Sequence, residues 1–127
     1  MKTHYTLALT MLAGIAIGAA AVHSLHAQAK PPAIVVSLLE VTDEAAYTAY
    51  AAKIPPIIAQ FGGKYLARGG KTVSFEGDPA PQRVVLTQFE SMEKAQAWRN
   101  SPAYQELRPE GRKSSKLRQF VVEGIAN

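Results

Sequence analysis

The side chains that most often perform nucleophilic or metal chemistry are scarce in this 127-residue chain. It contains no cysteine, and its three histidines, His4, His23 and His26, all lie near the N-terminus. That segment has the pattern of a removable leader, and the chain without it has neither an imidazole nor a thiol. A Ser-His-Asp triad, a Cys-His pair and most zinc or histidine-ligated haem sites are then excluded. We expect no metal site and no cofactor.

The remaining candidates for ligand binding are charged, amide and aromatic residues, namely Arg68, Trp98, Asn100, Tyr104, Tyr47 and Glu40. Arg68 precedes Gly69-Gly70, and a guanidinium held there could bind a carboxylate ligand through two parallel hydrogen bonds. The alternative is an intramolecular ion pair with Glu76 across a hairpin.

Each of the other candidates also has two interpretations. Trp98, Asn100 and Tyr104 could line a pocket for a flat apolar ligand, or the two aromatic residues could be core and interface anchors. Tyr47, on the same helical face as Tyr50, could line that pocket or simply pack in the core. Glu40 could act as a general acid or base if it is buried, or it could point into solvent at the end of a strand.

The pattern of the chain predicts the elements that position these residues. Strand-like segments occupy residues 33–41, 64–68, 71–76, 83–90 and 117–122. Glycines 69 and 70 between two of these segments predict a tight hairpin. With the helices below, we interpret the order as βαββαβ, the ferredoxin-like arrangement of an α+β protein with an antiparallel sheet, although the five strand-like segments are one more than its four strands.

Capping residues and prolines delimit the predicted helices. Asp43 is a suitable N-cap for a helix with an apolar stripe that extends to residue 61. Pro55-Pro56 predicts a kink near Ile54 or a division into two short helices, and Gly62-Gly63 ends the element. Further helices are predicted from Ser91 to residue 99 and from Ser101-Pro102 to about residue 108, with residues 109–116 helical or irregular.

The first 29 residues have the layout of a secretory signal peptide. Lys2 precedes the uncharged apolar segment 6–22, and Ala27-Gln28-Ala29 resembles a signal-peptidase site. We expect cleavage after Ala29, a domain at residues 30–127, and a periplasmic or secreted location. The alternative is an uncleaved anchor, which would be the only contact with a membrane.

The charge distribution does not favour nucleic-acid binding. The formal net charge is +4, whereas a nucleic-acid binder usually has a dense basic face with stacking aromatic residues. Five basic residues concentrate near the C-terminus, at Arg108, Arg112, Lys113, Lys116 and Arg118. A solvated helix face explains them, and an anion-attracting rim is the alternative.

Apolar residues occupy both faces of the first strand, which predicts that both faces are covered. Helices on one side of the sheet can cover only one of them. We expect the second face to be covered by another copy of the chain in a two-fold dimer.

The segment GGKYLARGG at residues 62–70 resembles the signature GG-(K/R)-(Y/F)-L-x-R-G-G of domain-of-unknown-function family 1330. The flanking motifs agree with it, namely Val41-Thr42-Asp43, Glu76-Gly77 and Ala97-Trp98-x-x-Ser101-Pro102-x-Tyr104. The resemblance extends over residues 33–124 and implies a ferredoxin-like protomer in a dimeric α/β barrel. The wider superfamily also contains cofactor-free monooxygenases and haem-binding enzymes, so the resemblance does not imply a reaction.

Three hypotheses for the function follow. The first is an exported dimer of uncharacterised function that binds a small organic molecule. The second is a cofactor-independent monooxygenase or isomerase acting on a small acidic or aromatic substrate. The third is a structural or stress-related dimer without a ligand. If Arg68, Trp98 and Tyr104 line one cavity, the first two are favoured.

Overall fold

A computed structural model describes residues 30–126 of the chain. The proposed leader at residues 1–29 lies outside the described residues, so its cleavage and the location of the protein stay predictions. Within residues 30–126, no helix combines the length and the apolar character needed to cross a membrane.

The described residues form one antiparallel sheet of four strands together with four helices. The strands are β1 (Ala33–Val41), β2 (Lys64–Arg68), β3 (Arg83–Phe89) and β4 (Ser115–Glu123). The helices are α1 (Glu44–Lys53), α2 (Pro55–Gln60), α3 (Met92–Arg99) and α4 (Pro102–Ser114). The strand order across the sheet is β2-β3-β1-β4. This arrangement confirms the predicted ferredoxin-like α+β fold.

Side-chain caps begin three of the helices at the predicted residues. The side chains of Asp43, Ser91 and Ser101 each accept a hydrogen bond from the backbone N–H three residues further on, at 3.1, 3.2 and 3.3 Å respectively. Each cap satisfies a backbone donor that has no partner within its helix. Residues 109–116 were predicted to be helical or irregular, and α4 continues through Pro109 to Ser114 before β4 begins at Ser115.

The pair Pro55-Pro56 divides the first predicted helix in two, as the second of our alternatives required. Proline has no backbone N–H, so the α-helical hydrogen-bond pattern of α1 cannot continue through Pro55. Helix α2 starts at Pro55 and ends before Gly62, whose φ of +74° places it in the left-handed region. Glycine adopts this conformation without the steric cost that a side chain brings.

The prediction of a tight hairpin at Gly69-Gly70 was wrong. Residues 71–76 form no strand, and β2 pairs with β3 instead, with Tyr65 opposite Thr87 and Arg68 opposite Val85. The alternation that suggested a strand comes from Val73 and Phe75, but Phe75 is 98% exposed. Alternation alone does not make a strand when no layer of the same chain covers its apolar side.

The hydrophobic core lies between the helices and one face of the sheet. On that face Ala33, Val35 and Leu39 of β1 are buried against residues such as Tyr50 and Ile58. The alternate residues of β1 are only partly buried, because the helices all pack on the opposite side.

Candidate functional site

A cavity lies between the helix-covered face of the sheet and helices α1 and α4. Its volume is about 60 Å³. Four of the six predicted ligand-binding residues, Arg68, Trp98, Tyr104 and Tyr47, line this one cavity. The geometric condition that favours a ligand-binding protein is therefore met, although Trp98 and Tyr104 also belong to the hydrophobic core.

Trp98 forms the aromatic wall of the cavity. Its ring stacks on Phe89 with centroids 5.3 Å apart, and it lies 4.5 Å from the Tyr104 ring. The residue is 3% exposed, and its indole Nε1 has no hydrogen-bond partner within residues 30–126. Because an indole N–H can only donate, this buried group requires an acceptor.

Arg108 is a buried cation that also lines the cavity. It extends from α4 and is 6% exposed, and its Nη1 donates a hydrogen bond to the Tyr50 hydroxyl at 3.0 Å. Its Nε has no partner among the described residues. Burial, together with the neighbouring Tyr104, raises the pKa of Tyr50 to about 12 although Arg108 lowers it. Tyr50 is therefore neutral near pH 7 and does not neutralise the guanidinium.

A chain of hydrogen bonds connects Arg99 of α3 through Gln119 of β4 to Ser37 of β1, which lines the cavity. Arg99 Nε donates to Gln119 Oε1 at 2.9 Å, and Gln119 Nε2 donates to the Ser37 hydroxyl oxygen at 2.9 Å. In both bonds the acceptor is an oxygen atom of the following residue, and the oxygen atom of Ser37 is the last acceptor. The hydroxyl hydrogen of Ser37, which lines the cavity, therefore remains for another acceptor.

Arg68 and Tyr47 lie where the cavity meets a wider surface cleft that shares both residues and Ala51. Arg68 Nη2 donates to the carbonyl oxygen of Ala51 at 3.0 Å, and its guanidinium lies 4.8 Å from the centre of the Tyr65 ring. The alternative interpretation, an ion pair with Glu76 across a hairpin, was wrong because that hairpin does not form. The Tyr47 hydroxyl accepts a hydrogen bond from Arg83 Nε at 3.0 Å.

The structure places the other two candidates away from the cavity. Asn100 is exposed and ends α3 as its C-cap residue. Glu40 is exposed on the opposite face of the sheet, opposite Lys116 in the register of β1 and β4. It therefore points into solvent, as one of our two interpretations stated.

Sequence reasoning missed Arg108, because a basic residue in a basic segment suggested a solvated helix face. The available signal was spacing: Tyr104, Arg108, Gly111 and Ser114 recur at helical intervals, and all four are buried on one side of α4. Only one of them is strongly apolar, so hydrophobic periodicity does not reveal this face.

The polar groups of the cavity suit an organic ligand. Within residues 30–126 no group of three or more His, Cys, Asp or Glu residues is placed to hold a metal ion. The residues that line the cavity combine aromatic rings with hydroxyl, amide and guanidinium donors. This combination is typical of small-molecule sites.

Comparison with known families identifies the chain. The family described as Domain of unknown function (DUF1330) matches residues 32–125. This chain belongs to the DUF1330 family. Arg68, within the segment at residues 62–70, lines the cavity.

Solved structures support the fold of this DUF1330 protein. A protein of unknown function from Rhodopseudomonas palustris is 18% identical, with a TM-score of 0.62 over 77% of this chain and 85% of that one. SnoaB, a cofactor-independent oxygenase from Streptomyces nogalater, is 13% identical, with a TM-score of 0.56 over 76% and 96% of the two chains. At these identities the likeness concerns the fold alone. No curated protein matched the chain.

Proposed function

We propose that this DUF1330 protein is an exported, dimeric binder of a small organic molecule, which occupies the cavity between the sheet and helices α1 and α4. The observation that supports the proposal is the convergence of Arg68, Trp98, Tyr104 and Arg108 on one cavity. Buried polar atoms without partners are costly to a core, so their presence favours a ligand that supplies partners.

The dimer in this proposal follows from the second face of the sheet. Leu86, Val36 and Phe120 lie side by side across three strands on that face, and Phe120 is 46% exposed. No helix of the described chain covers them. A second copy offers the same apolar surface, which a two-fold contact pairs with itself.

Export is proposed from the leader pattern at residues 1–29. Mass spectrometry of the exported protein is expected to find Lys30 at the N-terminus. An intact Met1, or a cytosolic location, would contradict this part of the proposal.

Ligand binding is tested by a thermal-shift screen with small aliphatic and aromatic compounds, both acidic and neutral. A cavity ligand raises the melting temperature in a saturable way, because it binds the folded state alone. The variant Ala51→Leu narrows the passage between cavity and cleft, so it should weaken binding. Ala49→Leu, at an exposed position of the same helix, is the matched control. A screen without any stabilising compound would favour a structural dimer without a ligand.

A second candidate function is cofactor-independent oxygenation or isomerisation of a small acidic or aromatic substrate. The fold that the chain shares with SnoaB, and the Trp98 and Tyr104 rings in its cavity, favour this candidate. Oxygen uptake measured with each compound that binds tests oxygenation, and product analysis tests isomerisation. Binding without turnover in both assays would reject an enzymatic role for those compounds.

A further inference from the structure

The charge of the cavity narrows the chemical class of its ligand. Among the described residues, no aspartate or glutamate lines the cavity, whereas Arg108 and Arg68 both line it. A buried cation without a counterion is unfavourable, and water in the cavity can accept its hydrogen bonds but cannot neutralise its charge. An anionic ligand supplies both the acceptor atoms and the opposite charge.

The surrounding groups do not neutralise Arg108. Its Nη1 contacts the neutral Tyr50 hydroxyl, and its guanidinium lies 6.0 Å from the centre of the Tyr104 ring. Glu110, two residues further along α4, is paired at 3.1 Å with Lys53 on the surface. The positive charge therefore faces the cavity without a carboxylate from its lining.

Three donors of residues that line this cavity have no acceptor among the described residues. They are Arg108 Nε, Trp98 Nε1 and the hydroxyl of Ser37, whose oxygen already accepts from Gln119. A carboxylate presents two oxygens with about four acceptor positions and no donor, which complements this set. A neutral amide presents one oxygen and adds N–H donors, for which Arg108 Nε and Trp98 Nε1 offer no acceptor.

Resting on the proposed function, we infer that the cavity binds the carboxylate group of a small organic acid, with Arg108 as its charge partner and Trp98 and Ser37 as further donors. The cavity volume of about 60 Å³ is several times the roughly 10–15 Å³ that one water molecule needs. It accommodates a carboxylate with one or two further carbon atoms. The remainder of a larger acid would pass Arg68 into the surface cleft, which shares Arg68 and Ala51 with the cavity.

Matched pairs of acids and amides test this inference by calorimetry at constant ionic strength. The pairs are acetate and acetamide, propionate and propionamide, and benzoate and benzamide, with chloride and sulfate as anions of different shape. We expect at least one acid to bind about tenfold more tightly than its amide and than either inorganic anion. Amides that bind as tightly as the acids would overturn the inference and leave the proposed function in place.

Variants locate the binding group. Arg108→Met removes the charge but keeps much of the side-chain length, so it should abolish the preference for the acid. Arg112→Met removes one charge from the exposed side of the same helix and should retain the preference. If Arg108→Met retains it, or Arg112→Met loses it, the assignment to Arg108 is wrong.

A third variant covers the case in which Arg108→Met does not fold. Ser37→Ala removes only a hydroxyl, and we expect it to lower the affinity for the acid several-fold while the amide is much less affected. Equal losses for acid and amide would contradict a carboxylate at this position. If no compound of any class binds the natural chain, the proposed function fails as well.

Discussion

At the scale of single residues, Gly111 makes the contact between Tyr50 and Arg108 possible. A Cβ atom at this position would lie 2.6 Å from Arg108 Nη1 and 2.8 Å from Tyr50 Cζ. Both distances are shorter than real contacts allow. Because Gly111 has no side chain, the Arg108 guanidinium and the Tyr50 ring can occupy the space beside this position of α4.

We predict that Gly111→Ala destabilises the protein by about 1–3 kcal/mol, because the added methyl group forces buried neighbours apart. Helix propensity alone predicts the opposite sign, a gain of about 1 kcal/mol. Urea unfolding measures the change. Gly70→Ala is the control, since a Cβ there meets no atom within 4 Å. A Gly111→Ala protein that is more stable than the natural one would refute this account of the site.

At the scale of secondary-structure elements, the break between α1 and α2 helps to position Arg68. In an uninterrupted helix the N–H of residue 55 would donate to the carbonyl of Ala51. Pro55 has no such N–H, and this carbonyl accepts a hydrogen bond of 3.0 Å from Arg68 Nη2 of β2 as well as a longer one of 3.4 Å from the Ile54 N–H. The absence of a donor at Pro55 thus leaves the Ala51 carbonyl able to bind Arg68, which attaches β2 to α1 beside the cavity.

A double-mutant cycle tests this link between Pro55 and Arg68. Pro55→Ala supplies an N–H that competes for the Ala51 carbonyl, so Arg68→Met should cost less stability in that background than in the natural chain. We expect a coupling of about 0.5–1.5 kcal/mol, the usual net contribution of one hydrogen bond. Pro56→Ala is the matched control, because the N–H that it adds would face the carbonyl of Ala52 and not that of Ala51. Strictly additive effects of Pro55→Ala and Arg68→Met would exclude the competition.

At the scale of the whole molecule, the described residues leave one apolar face of the sheet partly exposed to solvent. Leu66, Phe120 and Val122 are each nearly half exposed there, and Val36 lies at the centre between Leu86 and Phe120. Contiguous apolar surface of this kind usually marks an interface. The exposed charges near its edges, such as Glu40 and Lys116, remain solvated at the rim.

We expect sedimentation equilibrium at micromolar concentration to give the mass of a dimer, and Val36→Lys to shift it towards a monomer. A charge at the centre of an apolar contact loses its hydration without gaining a partner. Ala103→Lys adds the same charge at an exposed position of α4 and should leave the dimer intact. A natural chain that sediments as a monomer would contradict the proposed assembly.

Local signals in the sequence were sufficient for most of the fold. Asp43, Ser91 and Ser101 begin helices because each satisfies a backbone donor three residues away, which requires no information from elsewhere in the chain. Pro55 and Gly62 act through their own backbone geometry. The prediction failed at residues 71–76, where strand formation depends on whether another layer covers the apolar side.

The sequence by itself determined most of the element types, the family and four residues of the cavity, because caps, prolines, glycines and aromatic residues have strong local or family-specific patterns. Only the tertiary structure decided the environment of each charge. Arg108 and Arg112 have the same chemistry and lie four residues apart in one helix, yet one is buried and the other exposed. The difference arises from α1 and the sheet, whose residues Tyr50 and Ser37 come from distant parts of the chain. Burial and hydrogen bonding depend on such distant neighbours, and these interactions convert a basic side chain into a candidate binding group.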